Sequence, residues 1–167
     1  MSQSPDVSLV DVDDAVLESL LALAKRDASP DEVAPPLGGA GWNPERTAWF
    51  RSYHRAAADG LAGAAGEKTW GVLCGGDLAG SVRLRRVADA GSGTVAETGI
   101  WLGRSFRSRG IGTAALRLVL AEARRAGLTR VVARTLADNL GARRLLAGLG
   151  AHLTPDDDGT VGAVVEL

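Results

Sequence analysis

The sequence predicts a mixed α/β domain built on a largely antiparallel sheet. Extended apolar runs alternate with helix-patterned runs, in the order strand, two helices, three strands, helix, strand, helix, hairpin. Two of the extended runs are joined by Gly75-Gly76-Asp77, the signature of a tight hairpin. The chain has 167 residues, of which 46% are hydrophobic, so it forms one domain with a proper core.

Each element has its own local reason. Val7 to Val10 is a short apolar run and reads as a first strand. Asp13 or Asp14 caps a helix running to about Arg26, with Val16, Leu17, Leu20, Leu21 and Ala24 on one stripe. Residues 27–43 carry Pro30, Pro35, Pro36, Gly38, Gly39 and Gly41 and read as a long loop of the kind that is often functional. Asn43-Pro44 opens a second helix, with Asn as cap and Pro in the first turn; it carries Trp49, Phe50 and Tyr53 to about Asp59. Thr69 to Cys74 and Leu78 to Arg86 are the hairpin strands. Ala90-Gly91-Ser92-Gly93 is a further turn, and Val95 to Leu102 is the fourth strand. Gly112 to Ala126 has Ala115, Leu116, Val119, Leu120 and Ala123 at helical spacing, with Gly127 as its C-cap. Arg130 to Thr135 reads as a buried strand. Asn139 to Leu149 is a short helix ended by Gly150. Residues 151–154 and 160–167 close the chain as a hairpin around Pro155 to Gly159.

Composition narrows the function. The net charge of −1 argues against general nucleic-acid binding, which needs a basic face. The charge is unevenly spread: residues 1–60 hold ten acidic and five basic side chains, residues 101–144 two acidic and ten basic. The single cysteine, Cys74, excludes an internal disulfide, fits a reducing compartment, and reads as strand packing. No basic-then-apolar leader opens the chain, and no apolar run approaches the ~20 residues a membrane span needs. A soluble cytoplasmic protein without nucleic-acid or membrane partners is the expectation.

The chemistry concentrates at Arg107-Ser108-Arg109-Gly110-Ile111-Gly112, between the fourth strand and the third helix. In a strand–loop–helix setting, loop amides and the helix N-terminus converge on one spot and favour an anion such as phosphate. Gly110 and Gly112 let a ligand approach the backbone. The arginines add planar donors suited to phosphate oxygens.

Together with Ala96 to Leu102 before it and Asn139-Leu140-Gly141-Ala142-Arg143-Arg144-Leu145-Leu146 and Gly150 after it, this loop resembles the GNAT superfamily of N-acetyltransferases, closest to its RimJ/RimL-like branch. The match is clear over residues 94–151. The resemblance implies a mostly antiparallel sheet of six to seven strands flanked by about four helices, with the fourth and fifth strands splayed apart. It implies acetyl-CoA as acyl donor, no metal, and direct attack by a primary amine without an acyl-enzyme. The pyrophosphate would lie on the amides of Ser108 to Thr113, aided by Arg107 and Arg109. Backbone groups of Ile100, Trp101 and Leu102 would hold the pantetheine and polarise the thioester carbonyl. Asn139 would contact the pantetheine side.

An amine titrating near ~8 to ~10.4 benefits from a base, and Glu97 is the first candidate, acting through a water. The tyrosine acid common in the family is replaced by Leu146, so acid help would come from Tyr53, His54 or solvent. Other roles stay open beside these. Glu97 is equally suited to an ion pair and Asn139 to a helix cap. Trp42 could line a substrate pocket or anchor the loop. Asp156-Asp157-Asp158 could draw a cationic substrate or form a solvated turn. The acceptor class is open between a small cationic amine, such as a metabolite or antibiotic, and a protein N-terminus. A non-catalytic acyl-CoA-binding module, or a binder of another phosphate ligand, would carry the same loop. Related proteins are often dimers, so the resemblance leaves room for a homodimer.

Overall fold

The computed structural model describes residues 4–88 and 94–167. One seven-stranded sheet organises it: β1 (Val7–Asp11), β2 (Glu67–Cys74), β3 (Asp77–Arg86), β4 (Val95–Leu102), β5 (Arg130–Leu136), β6 (His152–Pro155) and β7 (Thr160–Glu166). Their spatial order is β1-β2-β3-β4-β5-β7-β6, and β4–β5 is the parallel contact among otherwise antiparallel neighbours. The expected turn at residues 90–93 lies outside the described residues.

Among the described residues, five α-helices flank the sheet: α1 (Asp14–Asp27), α2 (Pro30–Val33), α3 (Pro44–Ala56), α4 (Ile111–Arg125) and α5 (Leu140–Gly148). The sequence predicts about four. The extra one, α2, is a single turn inside the 27–43 loop, started by Pro30 where proline's fixed φ suits a first helical position. The caps are the expected ones. Asp13 accepts from the Val16 amide at 2.8 Å, Asn43 from Arg46 at 2.9 Å and Asn139 from Ala142 at 3.0 Å.

The two faces of the sheet carry different cores. The period-2 alternation sends Trp70, Val72, Val82, Leu84 and Ala96 to one face, where α4 lays Ile111, Ala115, Leu116, Val119 and Leu120 against them. Leu17, Leu20, Leu21 and Ala24 of α1 pack with Phe50 of α3 on the other. Two further expectations need correction. In β5, Val131 is the buried residue while Arg130, Arg134 and Leu136 are exposed, because β4 leaves the strand after its first three residues. Cys74 is half-buried rather than buried, at the hairpin end of β2.

The 27–43 loop is held by a clamp that the sequence did not announce. Arg46, on the first turn of α3, turns inward and is only 2% exposed. Its Nη1 pairs with Asp31 at 2.9 Å, and its Nη2 donates to the Gly39 carbonyl at 3.1 Å. Asn43 Nδ2 donates to the Leu37 carbonyl at 2.8 Å. A buried guanidinium needs such partners, and these are all loop groups, so burying Arg46 fixes the loop.

Candidate active site

The parting of β4 and β5 is the central feature. Their pairing covers Val95↔Arg130, Ala96↔Val131 and Glu97↔Val132 and then stops. β4 continues to Leu102 paired with β3 alone, so the backbone of Ile100 to Leu102 runs along an opening between strands. On the β3 side the strands are very close: a Cβ on Gly80 would stand 2.1 Å from the Trp101 carbonyl oxygen.

At the end of β4 the chain passes through a 3-10 turn, Arg104–Phe106, into the glycine loop. Ser108 and Gly110 both have positive φ, 61° and 78°. Gly110 is the N-cap of α4 and offers no side-chain cap, so the first-turn amides of a 15-residue helix lack the usual oxygen acceptor. Gly112 differs from expectation. The space its Cβ would fill is taken by Leu145 of α5, whose Cδ1 would lie 2.6 Å away, so this glycine serves helix packing rather than ligand approach.

The arginines of the loop are engaged. Arg107 donates through Nε to the Leu102 carbonyl at 3.0 Å and through Nη2 to Glu32 of the 27–43 loop. Arg109 lies over the Phe106 ring, 5.6 Å from its centroid. Asp27, at the end of α1, accepts from the Ser105 amide at 3.2 Å and its hydroxyl at 2.5 Å; that hydroxyl bond is the main cause holding the Asp27 carboxyl below its ordinary pKa.

Beside the parted strands, on the α1–α3 face, is a cavity of about 380 Å³. Its floor is unusually polar: His54, Glu67, Thr69 and Ser81 are all buried and all line it. The Tyr53 hydroxyl donates to Glu67 at 2.8 Å. One guanidinium, that of Arg83, spans two carboxylates, giving Nη1 to Glu67 at 3.4 Å and Nη2 to Glu97 at 3.0 Å. Arg85 adds Nη2 to the same Glu97 oxygen at 3.2 Å. Trp49 stacks on Tyr53, with centroids 5.0 Å apart, and Trp101 and Val33 complete the apolar walls.

Burial sets the protonation of the two aromatic candidates. Desolvation first, then the bond to Glu67, raises the Tyr53 pKa well above that of a free phenol, so it stays protonated. Desolvation alone pushes His54 down to about 4, so it is a neutral imidazole near pH 7, with Nδ1 3.4 Å from Thr69 Oγ1.

Glu97 stands at the last β4–β5 pair, where the strands separate. It is not itself on the cavity wall; Arg83 and Arg85, which hold it, are. Trp42 is not on that wall either. Its ring meets Phe50 edge-on at 6.2 Å within the α1–α3 core, leaving its indole N–H buried without an acceptor, so it anchors the loop. Asn139 caps α5, as noted. Leu146 is 6% exposed and purely apolar. The Asp156–Asp158 turn lies against Arg134, at 3.6 Å and 3.9 Å, and Asp158 also accepts from Thr160; none of these residues lines the cavity.

Sequence reading missed Glu67, Arg83, Arg85, Trp49 and Glu32. A signal existed for the first three. Glu67-Lys68-Thr69-Trp70 and Ser81-Val82-Arg83-Leu84-Arg85 alternate with period 2. Such a polar face is ordinarily solvated, and here it is roofed by α3 and the long loop.

Comparison with known proteins agrees with this architecture. The family model described as "Acetyltransferase (GNAT) family" matches residues 35–151. The Acetyltransferase Pat of Mycolicibacterium smegmatis is 31% identical over 83 residues, covering 50% of this chain and 25% of that protein, so the match spans about a quarter of that relative. Mycobacterium smegmatis RimJ, solved with CoA-disulfide, superposes with a TM-score of 0.76 at 21% identity, covering 96% of this chain and 81% of that one. RimL, a ribosomal L7/L12 α-N-protein acetyltransferase solved with coenzyme A, superposes with a TM-score of 0.74 at 18% identity, covering 99% and 96%. The family model spans well over half the chain and falls on the parted strands, the glycine loop and α5. This chain therefore belongs to the GNAT family of acetyltransferases.

Proposed function

We propose that this protein is an N-acetyltransferase that moves the acetyl group of acetyl-CoA directly to a primary amine. The observation that carries the reading is the gap between β4 and β5, which opens beside a polar cavity and leads to the uncapped N-terminus of α4. The residues present suit the donor. First-turn amides of α4 and the positive-φ loop of Ser108 to Gly110 suit a pyrophosphate, with Arg109 and, once released from Glu32, Arg107 as charged partners. Ile100 to Leu102 offer backbone donors and acceptors along the gap for a pantetheine. Asn139 spends its Oδ1 on capping α5. Bound acetyl-CoA supplies an activated acyl thioester.

The chain's own residues do the rest. The walls of Trp49, Trp101 and Val33 exclude water from the acceptor and fix its approach, which lowers the entropic cost of attack. A β4 amide in the Ile100–Leu102 segment stabilises charge developing on the carbonyl oxygen. Glu97, at the point where the strands part, takes the amine proton through a water; Arg83 and Arg85 orient its carboxylate. Tyr53 is protonated but donates to Glu67, His54 is neutral, and Leu146 has no proton to give, so solvent protonates the departing thiolate. A thiol of pKa about 8.5 tolerates this.

The test is thiol release from acetyl-CoA across an amine panel, for the wild type and Glu97→Gln. The expected result is acetylation by the wild type and at least a hundred-fold loss of kcat in the variant with coenzyme A affinity retained. Undiminished turnover would remove Glu97 from the base role. Leu146 favours a second reading, acyl-CoA binding without catalysis; tight coenzyme A binding with no amine acetylated would support it.

A further inference from the structure

The charge pattern of the cavity speaks to the acceptor's chemistry. Four charged side chains line it: Glu32, Glu67, Arg83 and Arg85. Glu32 is matched by Arg107. Glu67, together with Glu97 just behind the wall, is matched by Arg83 and Arg85. A polycationic acceptor would thus meet no excess negative charge, and would have to approach two guanidinium groups. The acidic residues that might have drawn a cation are elsewhere: Asp156 and Asp158 face Arg134, and much of the acidic first third lies in surface pairs such as Glu18 with Arg51 and Asp11 with Lys68.

We infer that the acceptor is an amino carboxylate, a free α-amino acid with an apolar side chain, whose carboxylate is received by Arg85, beside Arg83, while its amine reaches Glu97 through the intervening water. The inference rests on the acetyl-transfer reading and narrows its substrate. The two guanidinium groups lie within 3.2 Å of the Glu97 carboxylate, so a group that gives a proton toward Glu97 and a group that pairs with an arginine must be close neighbours. An α-amine and α-carboxylate, separated by one carbon, meet that condition; a peptide N-terminus carries no carboxylate there. Arg85 is half-exposed and spends Nη2 on Glu97, leaving a planar fork of further donors suited to a carboxylate. The net-neutral acceptor leaves the cavity's charge balance undisturbed. Trp49, stacked on Tyr53, and Trp101 supply the apolar surface for the side chain, in a cavity of about 380 Å³ that admits a small molecule.

The experiment measures acetylation of a panel of L-α-amino acids, each beside its own amide, its decarboxylated amine and a dipeptide it begins. The expected result is a free apolar amino acid as best acceptor, with kcat/KM at least ten-fold above its amide and its decarboxylated amine. In Arg85→Gln the acid-to-amide ratio falls at least five-fold, and Arg85→Lys restores part of it. Amides, decarboxylated amines or dipeptides used as well as the free acids, or an unchanged ratio in Arg85→Gln, would overturn the inference while leaving acetyl transfer standing. No turnover of any panel member by the wild type would overturn the inference, and acetyl transfer falls with it if the wider amine panel is inert as well.

Discussion

His54 makes the stability of this protein depend on pH in a way that one substitution can isolate. The imidazole is 3% exposed, lies between Phe50 and Tyr53, and has its pKa pushed by burial from 6.5 down to about 4. The unfolded chain binds a proton there as pH falls through about 6.5; the folded chain resists until about 4. Stability therefore drops with falling pH across that window and levels off below it. With one pKa unit equal to about 1.4 kcal/mol, the full effect is about 3 kcal/mol, and about 2 kcal/mol of it is lost between pH 8 and pH 5. For a domain of this size that corresponds to a Tm decrease of about 4–8 °C. Urea unfolding at pH 8, 7, 6 and 5 would measure it, comparing wild type with His54→Gln, which cannot titrate. The variant starts less stable at pH 8, but the gap to the wild type should narrow by about 2 kcal/mol by pH 5. Parallel profiles for the two proteins would refute the reasoning, because every other titrating group is shared.

Two further predictions concern the donor side. Gly80→Ala places a Cβ 2.1 Å from a backbone oxygen of Trp101, and backbone yields less than a side-chain tip. It should destabilise the protein by about 3 kcal/mol or more and weaken coenzyme A binding by prying β4 from β3; a calorimetric Tm within 2 °C of wild type would contradict this. Glu32→Gln frees Arg107, and because both partners are about two-fifths exposed the pair is worth under about 1 kcal/mol. Coenzyme A affinity measured by titration calorimetry should therefore rise by about two- to five-fold at low salt, with the difference disappearing at about 0.5 M salt. A decrease in affinity would mean that Glu32 orients Arg107 for the phosphate instead of competing with it.

The glycine loop and the elements around it were legible in the sequence and the polar cavity was not, for a physical reason. Arg107 to Gly112 are contiguous, and a glycine loop between a strand and a helix declares its conformation locally. Asn43 and Asn139 likewise reveal their caps through residues two or three positions away. The polar cavity draws Trp49 from α3, Glu67 from β2 and Arg83 from β3, and their meeting is a matter of strand register. Glu67 pairs across the strands with Arg85, yet its carboxylate is held by Arg83 on the same face, and no local pattern encodes that choice. Arg46 escaped notice because a charged residue in the first turn of a helix is ordinarily exposed. For Trp42 the sequence left two roles open, pocket wall or loop anchor, and its edge-on contact with Phe50 in the α1–α3 core favours the anchor.

The fifth strand is held on its two sides very unequally. It shares three residue pairs with β4 and seven with β7, so its direction follows β7. The aperture between β4 and β5 is consequently set from outside the site. Val161 and Ala163 are buried on β7, opposite Thr135 and Ala133 of β5, and neither lines the cavity. A larger side chain at either position would tilt β5 as a whole and change the aperture. Donor fit is then expected to respond to substitutions on β7, a strand that does not line the cavity.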